Sequence, residues 1–337
     1  MKPRLLMAGL ALALLAVSAG CTSTSSTASQ AALAALEPIT TSAPTTTSTT
    51  ALTDSDPCVR ENARTFDKTA SLRPDPSIPT AGAMPAGTWE RSIQDRGVLI
   101  VGVDENTRYF SSRNPVTGEF EGFEVELAHE IAEAIFGDRT RVRFVSVVTD
   151  EKVPFVRDGK VDMTISVVSA SCERWREVSF STTYYETSQR VLVRQDSPIQ
   201  QPDDLAGKRV CVTRGSSSEK FLPKLTATAE PVAVTARTDC LVALQERRVD
   251  AVLLPNSILA GLQDQDRTTR MLAPLPQQAA QNSYGIAISH QHPDLVRFVN
   301  ALLERWRTDG TLAALQLGSL PPGLRTDPVA PEPRYVD

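Results

Sequence analysis

No two cysteines in this sequence are spaced CxxC, and the three histidines, His129, His290 and His292, lie far from all of them, so the usual zinc-ligand patterns are missing. Basic charge is also in deficit. With 35 Lys and Arg against 40 Asp and Glu the chain carries −5, and about −7 once a leader holding Lys2 and Arg4 is removed, which makes nucleic acid a poor partner. No Ser-His-Asp arrangement is recognisable, and nothing after residue 318 reads as a catalytic domain, so neither an enzyme nor a cofactor is expected. Long apolar runs are missing too. The longest, Leu5–Val17, has about 13 residues, too few to cross a bilayer comfortably as a permanent helix. What remains is ordinary globular composition, 41% hydrophobic and 22% charged, over 337 residues, more than one small core organises. Two compact units are expected.

Residues 1–20 run from basic Lys2 and Arg4 through the apolar stretch to Ser18-Ala19-Gly20, the pattern of an export signal. Cys21 follows at once, and Ala-Gly-Cys resembles a lipobox, in which the cysteine is lipidated and starts the mature chain; Ser18 stands where leucine is usual. A secreted protein cut near the same place is the alternative. From Cys21 to Asp56, 18 of 36 residues are Ser or Thr and none is aromatic, so the segment cannot bury enough apolar surface to offset its ordering entropy. It reads as a disordered tether. Cys58, Cys172, Cys211 and Cys240 are then left, an even number that favours disulfides outside the cytosol and allows three pairings.

Beyond an N-terminal extension over 57–88, short β-branched runs alternate with helical stripes. Gly97–Val103 reads as a buried strand, Asp104–Glu119 as turns, Phe123–Phe136 as a helix ended by Gly137, Arg141–Val148 as a strand, Lys152–Arg157 as a helix and Val161–Val168 as a strand. That order predicts a parallel sheet with helices on both faces. The pattern restarts with strands at Arg190–Val193, Lys208–Thr213 and Val249–Leu254 and a helix at Cys240–Gln245. Phe180–Ser188 and Tyr284–Ile288 are candidate hinge crossings; Leu295–Leu303 and Leu312–Leu315 carry helical stripes, and prolines mark the tail over 319–337.

Seven motifs then fall in register with one family. Gly122-Phe123-Glu124-Val125-Glu126-Leu127, Gly159-Lys160-Val161-Asp162, Glu173-Arg174, Phe180-Ser181 with Tyr184-Tyr185, Asp204-Leu205-Ala206-Gly207-Lys208, Val249-Asp250-Ala251-Val252 and Tyr284-Gly285-Ile286 together resemble the family 3 extracellular solute-binding proteins that serve polar-amino-acid ABC transporters. The resemblance spans about 89–318. The tether, Ser71-Leu72-Arg73-Pro74 and the closing Pro333-Arg334-Tyr335-Val336-Asp337 look more narrowly like actinobacterial glutamine/glutamate-binding lipoproteins. The fold this implies is α/β and periplasmic-binding-protein-like: two doubly wound lobes, a hinge and an interlobe cleft, with lobe 1 over 89–187 and 286–318 and lobe 2 over 188–285.

The same resemblance implies a site for an α-amino acid of the glutamate, glutamine, aspartate or asparagine type. Arg174 stands where the family places the guanidinium that grips the α-carboxylate; a solvated arginine in the run Glu173–Glu177 is the alternative. Ser166 and Ser169 occupy strand-end positions, and Asp104, at the end of the first strand, faces the cleft in the family, although such residues also form turns. Phe110 is either an apolar wall for the ligand or core packing. Thr213, Ser216 and Ser217 follow a strand and open a helix, suited to an anionic group. The family aspartate that takes the ammonium is missing: Pro255 holds its place, with Asn256 beside it as a neutral acceptor.

The register also implies the disulfides Cys211–Cys240 and Cys58–Cys172. The resulting expectation is a monomer, lipid-anchored at Cys21 on the outer face of the membrane, handing its ligand to an ABC permease. The alternative is a sensor signalling through a membrane partner to a Ser/Thr kinase, and an enzyme on the same fold is a third, unsupported reading.

Overall fold

The computed structural model of the protein describes residues 67–275 and 281–336. The leader, Cys21, the tether and Cys58 lie outside the described residues. Helix α1 (Trp89–Arg96) starts where the Thr88 side chain accepts a hydrogen bond from the Arg91 amide and stops at left-handed Gly97. Helix α2 (Phe123–Phe136) coincides with its predicted span because Val125, Leu127, Ala128, Ile131, Ala132 and Ile135 form one buried face. Gly122, just before it, has φ 125°, and a Cβ there would stand 2.5 Å from the Phe110 carbonyl oxygen, so no other residue fits.

Strands β1 (Leu99–Val103), β2 (Val142–Ser146) and β3 (Met163–Thr164) pair in parallel in the order β2-β1-β3. Two antiparallel strands, β4 (Ser179–Phe180) and a late one described below, complete this first sheet. The third strand is shorter than the predicted Val161–Val168, and beyond Ile165, whose amide still bonds to the Gly102 carbonyl, the chain turns away with Val167 at φ 44°. Helices α3 (Lys152–Arg157) and α4 (Cys172–Trp175) follow β2 and β3.

The ten-residue β5 (Tyr185–Arg194) leads into a second sheet. There β6 (Arg209–Thr213) lies between parallel β7 (Glu230–Val234) and β8 (Ala251–Pro255), while β5 and β9 (Thr269–Met271) add antiparallel strands in the order β7-β6-β8-β5-β9. Helices α5 (Ser217–Leu225), α6 (Arg237–Gln245) and α7 (Asn256–Gln265) cover it. Then β10 (Gln281–Tyr284) runs back along the start of β5, and β11 (Ala287–Ile288) re-enters the first sheet between β3 and β4. The two crossings are therefore paired with each other. Cys211 on β6 and Cys240 in α6 are joined in a disulfide, with Cα atoms 5.5 Å apart. Cys172 is also disulfide-bonded.

Around the crossings sits an aromatic cluster. Tyr185 stacks on Tyr284 at 5.9 Å, and Phe110 meets Tyr185 edge-on at 4.9 Å with its own side chain fully buried. Phe110 is thus core at the hinge and not an apolar wall for a ligand. Behind the hinge, α8 (Pro293–Thr308) and α9 (Thr311–Ser319) pack on lobe 1. The proline-bearing tail is not loose: Arg334–Tyr335 pairs in parallel with Ala70–Ser71, whose Ser71 hydroxyl donates to the Phe180 carbonyl at 2.6 Å.

Candidate functional site

In both sheets the parallel strands end toward the same gap, the place where doubly wound folds hold ligands. From lobe 1 come Asp104 after β1, Thr149 and Lys152 after β2, the turn Ser166–Ser169 after β3, and Arg174 from α4. From lobe 2 come Thr213 to Ser217 after β6, Arg237 after β7 and Pro255 at the end of β8. An inner cavity of about 20 Å³ is walled by Lys152, Ser169, Arg174, Thr213, Arg237 and Pro255 among others, and Ser169, Arg174, Ser216 and Ser217 also border an outer opening of about 330 Å³ that runs toward Gln189 and Lys220. The inner cavity is far below the few hundred Å³ of a usual small-molecule site, so a ligand enclosed there requires the lobes to part, whereas the outer opening already has that size.

Arg174 reaches across the gap. Its Nη1 donates to the Ser169 carbonyl at 2.8 Å and its Nη2 to the Gly215 carbonyl of lobe 2 at 3.1 Å. Ser171 caps the short helix below it by accepting from the Arg174 amide. Burial lowers the guanidinium to about 10, which leaves it charged at neutral pH.

Arg237 makes the converse reach from lobe 2. Its Nη2 lies 2.8 Å from Asp104 Oδ2 and 3.3 Å from Thr149 Oγ1, and its Nη1 donates to Thr107 Oγ1 at 2.6 Å. Lys152 completes the group: its Nζ donates to the Ser166 carbonyl at 2.8 Å and stands 3.9 Å from Asp104. Two buried polar atoms on residues that wall the cavity have no partner, Thr213 Oγ1 and Arg237 Nε. Each is a donor or acceptor that a polar ligand can satisfy. Among the described residues no cluster of His, Cys, Asp and Glu is arranged to hold a metal.

Of the residues singled out from sequence, Ser169, Arg174, Thr213, Ser216 and Ser217 border the cavity. Ser216 also caps α5 by accepting from the Glu219 amide, and Ser217 accepts from Gln189. Asp104 and Ser166 stand one layer back, acting through Arg237 and Lys152. Asn256 opens α7 and does not border the cavity; Pro255, the last residue of β8, takes the wall position instead. Lys152 and Arg237 went unrecognised. Pro231 breaks the pattern of β7, so the strand that places Arg237 leaves no periodic signal.

Lys152 carries a pH prediction. Burial, then repulsion from Arg237, pushes its ammonium down to about 7, with Asp104 and Glu124 pulling the other way. An anion bound beside it favours the charged form, so binding takes up a proton above that value and affinity falls as pH rises from 7 to 9, by at most tenfold per unit. Calorimetry at pH 6, 7, 8 and 9 checks this, with Lys152→Met expected to flatten the profile.

Comparison with known proteins places these observations. The model of the bacterial extracellular solute-binding proteins, family 3, matches residues 99–318. The ABC transporter glutamine-binding protein of Bacillus subtilis is 29% identical over 220 residues, 65% of this chain and 80% of its own. A glutamate/aspartate import solute-binding protein of Salmonella typhimurium is 22% identical over 68% of this chain and 78% of its own. Among solved structures, holo ArgBP from T. maritima superposes with a TM-score of 0.59 at 28% identity, covering 64% of this chain and 93% of that one. With the match running from the first strand of lobe 1 to the end of α9, the chain belongs to the bacterial extracellular solute-binding proteins, family 3.

Proposed function

We propose that this protein captures an acidic amino acid, glutamate or aspartate, between its lobes and delivers it to an ABC permease from a lipid anchor at Cys21. One observation carries the choice of ligand: Lys152, Arg174 and Arg237 converge on the cavity, against Asp104 and a Glu124 whose carboxyl burial raises toward the neutral form. A ligand with two carboxylates and one ammonium offsets that positive excess; an amide side chain does not. Arg174 and the Thr213–Ser217 turn suit one carboxylate, Lys152 and Arg237 the other. The similarity to a glutamate/aspartate import protein supports this reading, and the similarity to a glutamine-binding protein keeps the amide as the comparison to make.

Isothermal titration with glutamate, aspartate, glutamine, asparagine and arginine tests it. Losing one charge-assisted contact costs about 1.5–3 kcal/mol, so each acid should bind roughly ten- to a hundredfold more tightly than its amide. Pro255→Asp restores a carboxylate where the family puts one, and it should tighten the amino acids while leaving a plain dicarboxylate unchanged or weaker. Amides equal to acids, or arginine tighter than both, would refute the assignment. The anchor is tested separately: Cys21→Ala should move the protein from the detergent phase to the medium.

A further inference from the structure

The turn that brings Ser169 to the cavity is bent in a way its own residues disfavour. Val167, on the cavity wall, has φ 44°, a left-handed conformation that glycine adopts freely and a β-branched side chain resists. Such a residue persists only where its surroundings over-determine it. Lys152, the Gly285 amide and Arg174 hold the carbonyls of Ser166, Val168 and Ser169, while the amide of Val167 itself is held by one side chain. The Val167 amide donates to Glu124 Oε1 at 2.5 Å, and the same oxygen accepts from the Tyr184 hydroxyl. The other oxygen, Oε2, lies 3.4 Å from Ser111 Oγ.

Glu124 is wholly buried in the first turn of α2 and does not border the cavity. Burying a carboxyl is costly unless it is fully hydrogen-bonded, so its retention here needs a compensating use. Its three partners come from three separate places: the small strand Ser111–Arg113, the turn after β3, and the crossing between β4 and β5. Either side of Val167 the turn carries the groups that meet the cleft. Lys152 donates to the Ser166 carbonyl and Arg174 to the Ser169 carbonyl, both at 2.8 Å.

We infer that Glu124 is a positioning residue: it pins the left-handed turn at Val167 and ties that turn to Tyr184 at the hinge, so that Ser169 and the Arg174 fork it holds stay in register with lobe 2. This rests on the cleft being the ligand site. A polar ligand then meets a preformed carbonyl and a preset guanidinium, and the ordering cost of the turn is met before binding.

Three substitutions in the full chain separate this role from simple packing. Glu124→Leu removes both acceptors at similar volume, Glu124→Gln keeps the shared Oε1 acceptor, and Val167→Gly removes the backbone penalty that the acceptor offsets. Two readouts are compared, amide exchange at residue 167 in the ligand-free protein and the calorimetric Kd for L-glutamate. Glu124→Leu should speed exchange at Val167 by about tenfold or more and raise Kd by a similar factor, with Glu124→Gln within about threefold of wild type on both. In the Val167→Gly background, which keeps the comparison available if the single Leu variant does not fold, adding Glu124→Leu should change Kd by less than about threefold. Unchanged exchange at Val167, or a Kd that still rises about tenfold in the glycine background, overturns the inference. The exchange arm needs no ligand, so failure of wild type to bind glutamate refutes the ligand assignment while exchange at Val167 still decides this one.

Discussion

Replacing Arg174 by alanine should raise the dissociation constant for glutamate or aspartate by about two to three orders of magnitude. Two losses combine. The α-carboxylate loses its bidentate partner, and lobe 1 loses the donor that now reaches the Gly215 carbonyl of lobe 2. Truncating one partner of a buried, hydrogen-bonded charge pair costs about 2–5 kcal/mol, and two to three orders of magnitude, about 3–4 kcal/mol, lies in the middle of that range. Arg174→Lys keeps the charge but not the planar fork, so it should recover only part of the affinity. The melting temperature of ligand-free protein should change little, because the side chain is not part of any of the three hydrophobic clusters. Glutamate binding at wild-type strength in Arg174→Ala would remove Arg174 from the site.

The second large effect is expected at Arg237. Its ion pair with Asp104 joins the lobes, with side-chain exposures of 2% and 8%, so both charges return to water when the cleft opens. Removing the guanidinium therefore leaves Asp104 nearly buried in the closed form, with the Asn106 amide at 2.8 Å and Lys152 at 3.9 Å as its remaining partners. Breaking one side of a buried pair costs about 3–5 kcal/mol, and here that cost falls on closure rather than on the folding of either lobe. Arg237→Ala should fail to contract on adding glutamate at concentrations that compact wild type, as read by the radius of gyration in small-angle scattering. Asp104→Asn added to Arg237→Ala should restore part of the closure by removing the stranded charge. Normal contraction in Arg237→Ala, with a melting temperature lowered by many degrees, would make the pair a folding device instead.

The frame was legible in the sequence because its signals are local. The apolar stripe from Val125 to Ile135, the glycines at 97, 122 and 137, and the β-branched runs of β1, β6 and β8 each act within a few residues. The place of Arg174 on the cavity wall was legible through its register before Phe180-Ser181. Lys152 and Arg237 were not, since each matters only through a strand end on its own lobe and partners more than a hundred residues away or on a separate strand. Phe110 stood in a loop whose small three-stranded sheet turns its ring into the hinge cluster, a packing outcome with no periodic trace. Asn256 differed by one position: the chain passes from strand to helix at that residue, which leaves Pro255 on the wall.

A crystal structure of the protein grown with L-glutamate is the most direct measurement. The proposed cleft requires the α-carboxylate on Arg174 and the side-chain carboxylate within hydrogen-bonding distance of Lys152 or Arg237, with the lobes closed around both. A ligand whose ammonium sits against Lys152 and Arg237, or whose side chain points away from them into solvent, would contradict it.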